Sequence, residues 1–249
     1  MTELSFVIPA YNEERAISPC LKSILEQADI ASGRFEIVVV NNASTDRTRE
    51  VALSFPGVKV VDESKKGIVH ARRAGFLASS GELVANVDAD TMLTPGWVGE
   101  VLKEFSKDKK MVAYSGPFIY YDLNWFIRLC VKIFYGLGFA LHLFNHYIFR
   151  ASGMLQGGNF IVRRSALTAI GGFNPERFEF YGEDTDIAMR LTKAGKVKFS
   201  FRLPMFTSGR RLAHEGLLKM GYRYALNHIW TIVFKKPFTK SYTDIRPGK

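Results

Sequence analysis

Short runs of apolar, mostly β-branched residues alternate with longer stretches of helical periodicity through the first half of the chain. Leu4–Pro9 (LSFVIP) and Phe35–Val40 (FEIVVV) read as strands, and the unbroken apolar character of the second suits a parallel strand covered on both faces. Val58–Val61 and Leu83–Val87 continue the series. Helices are predicted at Ala16–Gln27, Arg47–Phe55 and Ile68–Ser79, the second opened by the capping side chains of Ser44, Thr45 and Asp46. Parallel neighbours need crossover helices, so this β-α-β order predicts an α/β fold with a doubly wound, mostly parallel sheet flanked by helices. Ligands of such sheets bind beyond the carboxyl ends of the strands. The second half is less regular, with strands predicted at Met111–Phe118, Gly158–Val162 and Val197–Phe201 and a helix at Asp184–Ala194. No repeat, low-complexity tract or linker divides the chain, so residues 1–249 are read as one domain.

Composition narrows the function classes. Of 249 residues 47% are hydrophobic and 23% charged, which excludes fibrous and wholly disordered chains. With 34 Lys and Arg against 24 Asp and Glu the net charge is +10. That surplus favours an anionic partner, whether nucleic acid, a phosphorylated small molecule or an acidic membrane surface. Two cysteines, Cys20 and Cys130, exclude a disulfide framework and a cysteine-based zinc site, and suit a reducing, cytoplasmic compartment. The opening MTELSFVIPAYNEE turns acidic after one short apolar run, unlike a signal peptide.

Two acidic clusters carry candidate chemistry. The fourth strand ends in Val87-Asp88-Ala89-Asp90-Thr91, where an extended chain would turn both carboxylates to one side. Oxygen ligands of this kind suit Mg²⁺ or Mn²⁺ beside a diphosphate, although a solvated turn would read the same. The second cluster, Glu183-Asp184-Thr185-Asp186, follows Tyr181-Gly182 at a predicted helix start, where acids also complement the helix dipole. Gly157-Gly158-Asn159-Phe160 would let backbone approach a ligand closely, or form a plain turn.

Six segments in this order, Val7–Glu14 (VIPAYNEE), Asn41–Thr48 (NNASTDRT), Gly67–Gly75 (GIVHARRAG), Asp88–Asp90 (DAD), Gly157–Arg164 (GGNFIVRR) and Gly182–Leu191 (GEDTDIAMRL), together resemble glycosyltransferase family 2. The match runs over about residues 4–201. The resemblance implies a GT-A fold and inverting transfer of a sugar from a nucleotide-diphosphate donor, assisted by Mg²⁺ or Mn²⁺. It places Pro9, Ala10, Tyr11, Glu13 and Arg72 around the nucleotide. Asn41-Asn42 stand where Asp-Asp or Asp-Asn is common; an amide both donates and accepts, which leaves the base open between uridine, the first choice, and guanosine. Arg73 either adds charge near the phosphates or is solvated. By the same resemblance Asp88 faces the ribose or a metal-bound water, and Asp90 ligates the cation. Asp184 matches the base that deprotonates an acceptor hydroxyl, with Glu183, Gly158 and Asn159 on the acceptor side and Asp186 serving mainly the helix start. His214 is a candidate further metal ligand, and Arg210 and Arg211 suit a diphosphate by their forked donors. A basic surface loop would carry the same residues. A polyprenyl-phosphate sugar synthase is the rival within the family, since a phosphate acceptor needs no base. A non-enzymatic scaffold for membrane or nucleic acid accounts for the charge but not for the ordered acids, and no nucleic-acid recognition motif accompanies it.

Residues 121–151 form an aromatic insert. On a helix, Asn124, Arg128, Lys132, Tyr135, His142, Asn145, His146 and Arg150 fall within one arc of roughly 140°. Trp125, Phe126, Phe134, Phe139, Leu141, Phe144 and Phe149 are among the apolar residues of the same stretch. Gly136 and Gly138 offer a point of division into two helices. The favoured reading is an interfacial helix or hairpin on a membrane surface. The others are a buried core helix, unusually long for one, a span, Ile133–Phe149 having 17 residues without Lys, Arg, Asp or Glu, and a homodimer contact. Residues 212–249, with Tyr222, Tyr224, Trp230 and Phe234 among Arg223, Lys235 and Lys236, repeat the basic aromatic theme. A lipid-linked or glycan acceptor at the cytoplasmic face of a membrane follows from that reading.

Overall fold

The structure is a computed structural model that describes residues 2–149, 153–178 and 181–239, without the side chains of 141–149. The strands are β1 (Leu4–Ala10), β2 (Phe35–Asn42), β3 (Val58–Glu63), β4 (Leu83–Val87), β5 (Thr91–Leu93), β6 (Met111–Ser115), β7 (Phe118–Tyr120), β8 (Asn159–Arg163), β9 (Lys196–Phe199) and β10 (Met205–Thr207). Seven form the main sheet in the order β3-β2-β1-β4-β8-β6-β9. The pairs from β3 to β4 are parallel, β8 runs antiparallel between β4 and β6, and β9 returns parallel to β6. Every residue of β1 and β4 is buried, as strands covered on both faces require. The α/β architecture expected from the chain pattern is therefore the one formed.

Helices α1 (Ile17–Leu25), α2 (Thr48–Leu53), α3 (Ile68–Ala78) and α4 (Trp97–Lys107) cover the parallel half, with α5 (Trp125–Phe149), α6 (Arg164–Ala169), α7 (Glu183–Leu191), α8 (Arg210–Glu215) and α9 (Leu217–Phe234) following. One face of the sheet packs Phe6, Ile8, Ile37 and Val39 against Leu21, Ile24, Trp97 and Val101. The other packs Val7, Val84, Phe160 and Val162 against Val69, Phe76, Leu167 and Ile187. Gly75 sets the distance of α3 from the sheet, since a Cβ there would lie 2.3 Å from Val7 Cγ1.

Two departures from the sequence reading matter for the site. The strand expected over Met111–Phe118 breaks into β6 and β7, because Gly116 packs where a Cβ would meet the Leu203 carbonyl oxygen at 1.9 Å. The chain then joins a small second sheet, β5-β10-β7, that rims the carboxyl end of β4. The insert, in turn, is a single 25-residue helix that runs unbroken through Gly136 and Gly138. Its inner face carries Ile127, Val131, Tyr135 and Phe139, packed with Phe199, Leu212 and Met220. Tyr135, expected on the polar arc, is buried because a phenol needs only local partners, which Gln156 and the Phe118 N–H supply. His142, Asn145, His146, Arg150, Leu141, Phe144 and Phe149 lie outside the described side chains, as do residues 240–249 of the basic C-terminal segment. Among the described residues no helix is long and apolar enough to cross a membrane.

Candidate active site

The carboxyl ends of β1, β2 and β4 and the loop before β8 converge on one cleft. Pro9 and Ala10 pair with Val40 and Asn41 at the end of β1. The chain then turns through Asn12 in the left-handed region, at φ 52°. Asn12 Oδ1 accepts from the Thr45 N–H at 2.8 Å, and the Glu13 N–H donates to Thr48 Oγ1 at 2.7 Å, tying this turn to the loop after β2. Asp46 accepts from the Thr48 N–H at 3.0 Å just ahead of α2, whose cap position itself is taken by Arg47 without a side-chain bond, one residue beyond the capping run expected. The ring of Tyr11 is covered by the Lys66 ammonium, 3.8 Å from its centroid.

Arg72 projects from α3 into the centre of the cleft with only 3% of its side chain exposed. Its Nη2 donates to Asp88 Oδ1 at 3.2 Å, Nη1 pairs with Glu183, and the guanidinium lies over the Phe160 ring. A cation buried to this degree is tolerated only because two acids meet it. The two acidic clusters thus share one arginine.

They also share the glycine pair. The Gly157 N–H donates to Asp184 Oδ2 at 3.3 Å, while a Cβ on Gly158 would stand 2.1 Å from Asp88 Oδ2. Gly158, at φ +79°, therefore gives Asp88 its room. Asp184 is oriented from its other oxygen by the Thr185 N–H at 2.8 Å, and Thr185 Oγ1 lies 3.2 Å from His228 Nδ1 on α9. Burial of His228 pushes its pKa below the ordinary histidine value, opposed by the Asp184 charge. Asp186 is structural, paired with Arg190 at 2.8 Å and Arg177 at 3.4 Å.

Arg210, at the start of α8, bridges Glu13 and Asp90, reaching Asp90 Oδ2 at 3.0 Å. Both partners hold the guanidinium firmly charged despite its burial. Sequence reasoning missed this bridge, because it joins positions 197 residues apart. Arg211 instead pairs with Glu215 at 3.2 Å, which also holds Arg223 of α9. His214 is exposed on the last turn of α8 and is not grouped with Asp88 and Asp90; no set of three or more His, Cys, Asp or Glu among the described residues is arranged to hold a metal. Asn159 is fully buried, its amide donating to the carbonyls of Gly116 and Leu203 and accepting from Trp97 Nε1. Its side chain braces the turn after β6. Arg73 is exposed and lines a separate open groove with Lys65 and His70.

The glycosyl transferase family 2 profile matches residues 5–171, and a profile described as the N-terminal domain of galactosyltransferase matches residues 143–215. A probable glycosyltransferase of Bacillus subtilis, YdaM, is 27% identical over 208 residues, covering 78% of this chain and 48% of that protein. Chondroitin synthase of Pasteurella multocida is 26% identical, covering 78% of this chain and 19% of its own length. The chain thus spans half or less of these relatives. Among solved structures, mannosyltransferase PcManGT from Pyrobaculum calidifontis in complex with GDP-Man and Mn²⁺ superposes with a TM-score of 0.65 at 20% identity, over 91% of this chain and 61% of that one. TarS 1–349 of S. aureus in complex with UDP-GlcNAc gives 0.61 at 15% identity, over 83% and 58%. These likenesses are likenesses of fold.

Proposed function

The chain belongs to glycosyl transferase family 2, and from that premise we propose that it transfers a sugar from a nucleoside-diphosphate donor to a hydroxyl of a lipid-linked or membrane-proximal glycan acceptor, with inversion. The observation that carries the reading is the shared cleft, in which Arg72 and the Gly157-Gly158 pair bring Asp88 and Asp184 together. The nucleotide lies over Pro9, Ala10, Tyr11 and Asn41, with uracil the first choice of base and guanine the second. GDP-Man and UDP-GlcNAc in the similar structures keep both bases in view.

The chemistry follows from the placement of the acids. Asp184 accepts the proton of the acceptor hydroxyl as its oxygen forms the new bond to the anomeric carbon. The bond from that carbon to the β-phosphate oxygen breaks on the opposite face, and the electron pair leaves with the diphosphate. Asp88 and Asp90 present hard oxygen donors two residues apart, and Gly158 leaves space beside one of them, so the donor set fits Mg²⁺ or Mn²⁺. Bound there, a divalent cation supplies positive charge to the departing diphosphate. Arg210 now occupies Asp90 and is the residue best set to turn to the phosphates.

The outer face of α5 exposes Trp125, Phe126, Leu129, Ile133, Phe134 and Leu137, and α9 exposes Leu218, Tyr222, Ile229 and Val233. We read these faces, flanked by Arg128 and Lys132, as a peripheral contact with the cytoplasmic face of a membrane. A thermal-shift screen of UDP- and GDP-sugars with and without Mn²⁺ tests the donor reading. Stabilisation that needs the cation supports it, and no shift with any nucleotide sugar overturns it. Flotation with anionic liposomes tests the membrane reading: recovery with the vesicles supports it, whereas a soluble dimer that ignores vesicles assigns the same faces to self-association.

A further inference from the structure

Thr185, next to Asp184 in the first turn of α7, offers one hydroxyl to two neighbours. Its Oγ1 donates to Asp184 Oδ1 at 3.4 Å and lies 3.2 Å from His228 Nδ1 of α9. A hydroxyl carries one proton, and an ionised carboxylate only accepts. With that proton on the Asp184 side, the contact to His228 is a hydrogen bond only if Nδ1 itself carries a proton. With it turned to a bare Nδ1, the Thr185 and Asp184 oxygens face each other unmatched. A hydrogen bond to a charged acceptor is roughly twice as strong as a neutral one, so the first arrangement is favoured. Burial holds the His228 pKa below the ordinary histidine value, so at neutral pH the ring carries a single N–H. That proton belongs on Nδ1.

The same bonds sort the two carboxylate oxygens. Oδ1 accepts from both the N–H and the hydroxyl of Thr185, which fills its two lone pairs. Oδ2 takes only the Gly157 N–H among the described residues and keeps a lone pair for a substrate proton. We propose that His228 is a positioning residue for Asp184: its Nδ1–H commits the Thr185 hydroxyl to Oδ1 and leaves Oδ2 as the atom that takes the acceptor proton. The inference rests on the reading of Asp184 as the base. It deepens that reading, because it names the working oxygen and a residue on another helix that sets it. Arg72 of α3 and Glu183 stand near Asp184 around Gly157, where a Cβ would meet Asp184 Oδ2 at 3.4 Å, Arg72 Nη2 at 3.7 Å and Glu183 Oε1 at 3.8 Å. The phenols of Tyr135 on α5 and Tyr224 on α9 feel the Asp184 charge as well. All four stay in place when the Thr185 hydroxyl is removed, so a change at Asp184 then reports the link to His228.

Nuclear magnetic resonance on the full chain, with no ligand added, tests this. Histidine ring ¹H–¹⁵N spectra near neutral pH read the His228 tautomer, assigned by its loss in His228→Leu. A ¹³C titration of the Asp184 carboxyl, assigned through Asp184→Asn, reads its midpoint. The parent is expected to show a protonated Nδ1 and a bare Nε2. Thr185→Val removes the hydroxyl but keeps the N–H and the branched outline. The tautomers should then mix, and the Asp184 midpoint should rise by about one pH unit, the shift for one lost hydrogen bond to the charged form. Thr185→Ser restores the hydroxyl without the methyl and should restore both readings, which a packing role would not do. His228→Asn keeps an N–H near the Nδ1 place and should hold the midpoint closer to the parent than His228→Leu does. A bare Nδ1 in the parent, or an Asp184 midpoint that ignores Thr185→Val, overturns the inference. Unaltered turnover in Asp184→Asn, with both spectroscopic shifts intact, overturns instead the base reading and the role of His228 that rests on it, while the hydrogen-bond link stands.

Discussion

Gly158→Ala places a methyl carbon where the Asp88 carboxylate now lies. The new Cβ would stand 2.1 Å from Asp88 Oδ2, 2.2 Å from its Cγ and 2.7 Å from Oδ1, whereas ordinary contact begins at 3.4 Å. The carboxylate must therefore retreat by about 1 Å, a misplacement that costs on the order of 100-fold in rate at an organised site. Stability falls too. Holding alanine at a φ of +79° costs about 1–2 kcal/mol, and the retreat weakens a charged hydrogen bond to Arg72. Because the Asp88 side chain is 34% exposed, solvent screens that loss, so the total expected is about 2–3 kcal/mol. Gly157→Ala is the internal control. Its Cβ would meet Asp184 Oδ2 at an ordinary 3.4 Å with no positive φ, and the N–H that serves Asp184 is retained. Initial rates of nucleoside-diphosphate release, beside urea midpoints, measure both effects. Parent-like rate and stability in Gly158→Ala, or equal damage from Gly157→Ala, would refute the cradle.

Further expectations are tied to single groups. Arg72→Ala leaves Glu183 and Asp88 without their shared buried cation and should lower unfolding free energy by about 3–5 kcal/mol, read by denaturant titration. Asp184→Asn should cut turnover by about 10²–10⁴-fold, the range for a lost general base, while leaving donor affinity unchanged. Unaltered turnover would favour a phosphate acceptor and a polyprenyl-phosphate sugar synthase. Burial alone would raise the Glu36 pKa, but hydrogen bonds from Ser5, Ser80 and Gly81 outweigh it and bring the value below that of a free carboxyl. Its stabilising contribution is therefore complete above the unfolded value of about 4.3 and lost as pH falls through the lower folded value. Melting temperatures from pH 6 down to about pH 3 should fall less steeply in Glu36→Gln than in the parent.

The parallel half of the fold was legible because strands covered on both faces leave continuous apolar runs, as FEIVVV does in β2. α4 was not anticipated, although Trp97, Val98, Val101 and Phe105 form its buried stripe. β5 and β10 are three residues each, too short for a period to register. The two acidic clusters could be picked out by composition at strand and helix ends. Their meeting through Arg72, like the Arg210 bridge from α8 to Glu13, depends on chain crossings that local pattern does not encode. Asn159 lies in a Gly-Gly-Asn run whose local pattern does not reveal that its amide is held by the Gly116 and Leu203 carbonyls.

The central claim is that one cleft receives the donor diphosphate on Asp88 and Asp90 while Asp184 faces the incoming hydroxyl. A crystal soaked with Mn²⁺ and UDP or GDP, recorded at the manganese edge, tests it most directly. The account predicts an anomalous peak within coordination distance of Asp90, with Arg210 drawn to the phosphates and Asp184 open to the far side of the pocket. Nucleotide bound away from Asp88 and Asp90, or a cation held by other residues, would contradict it.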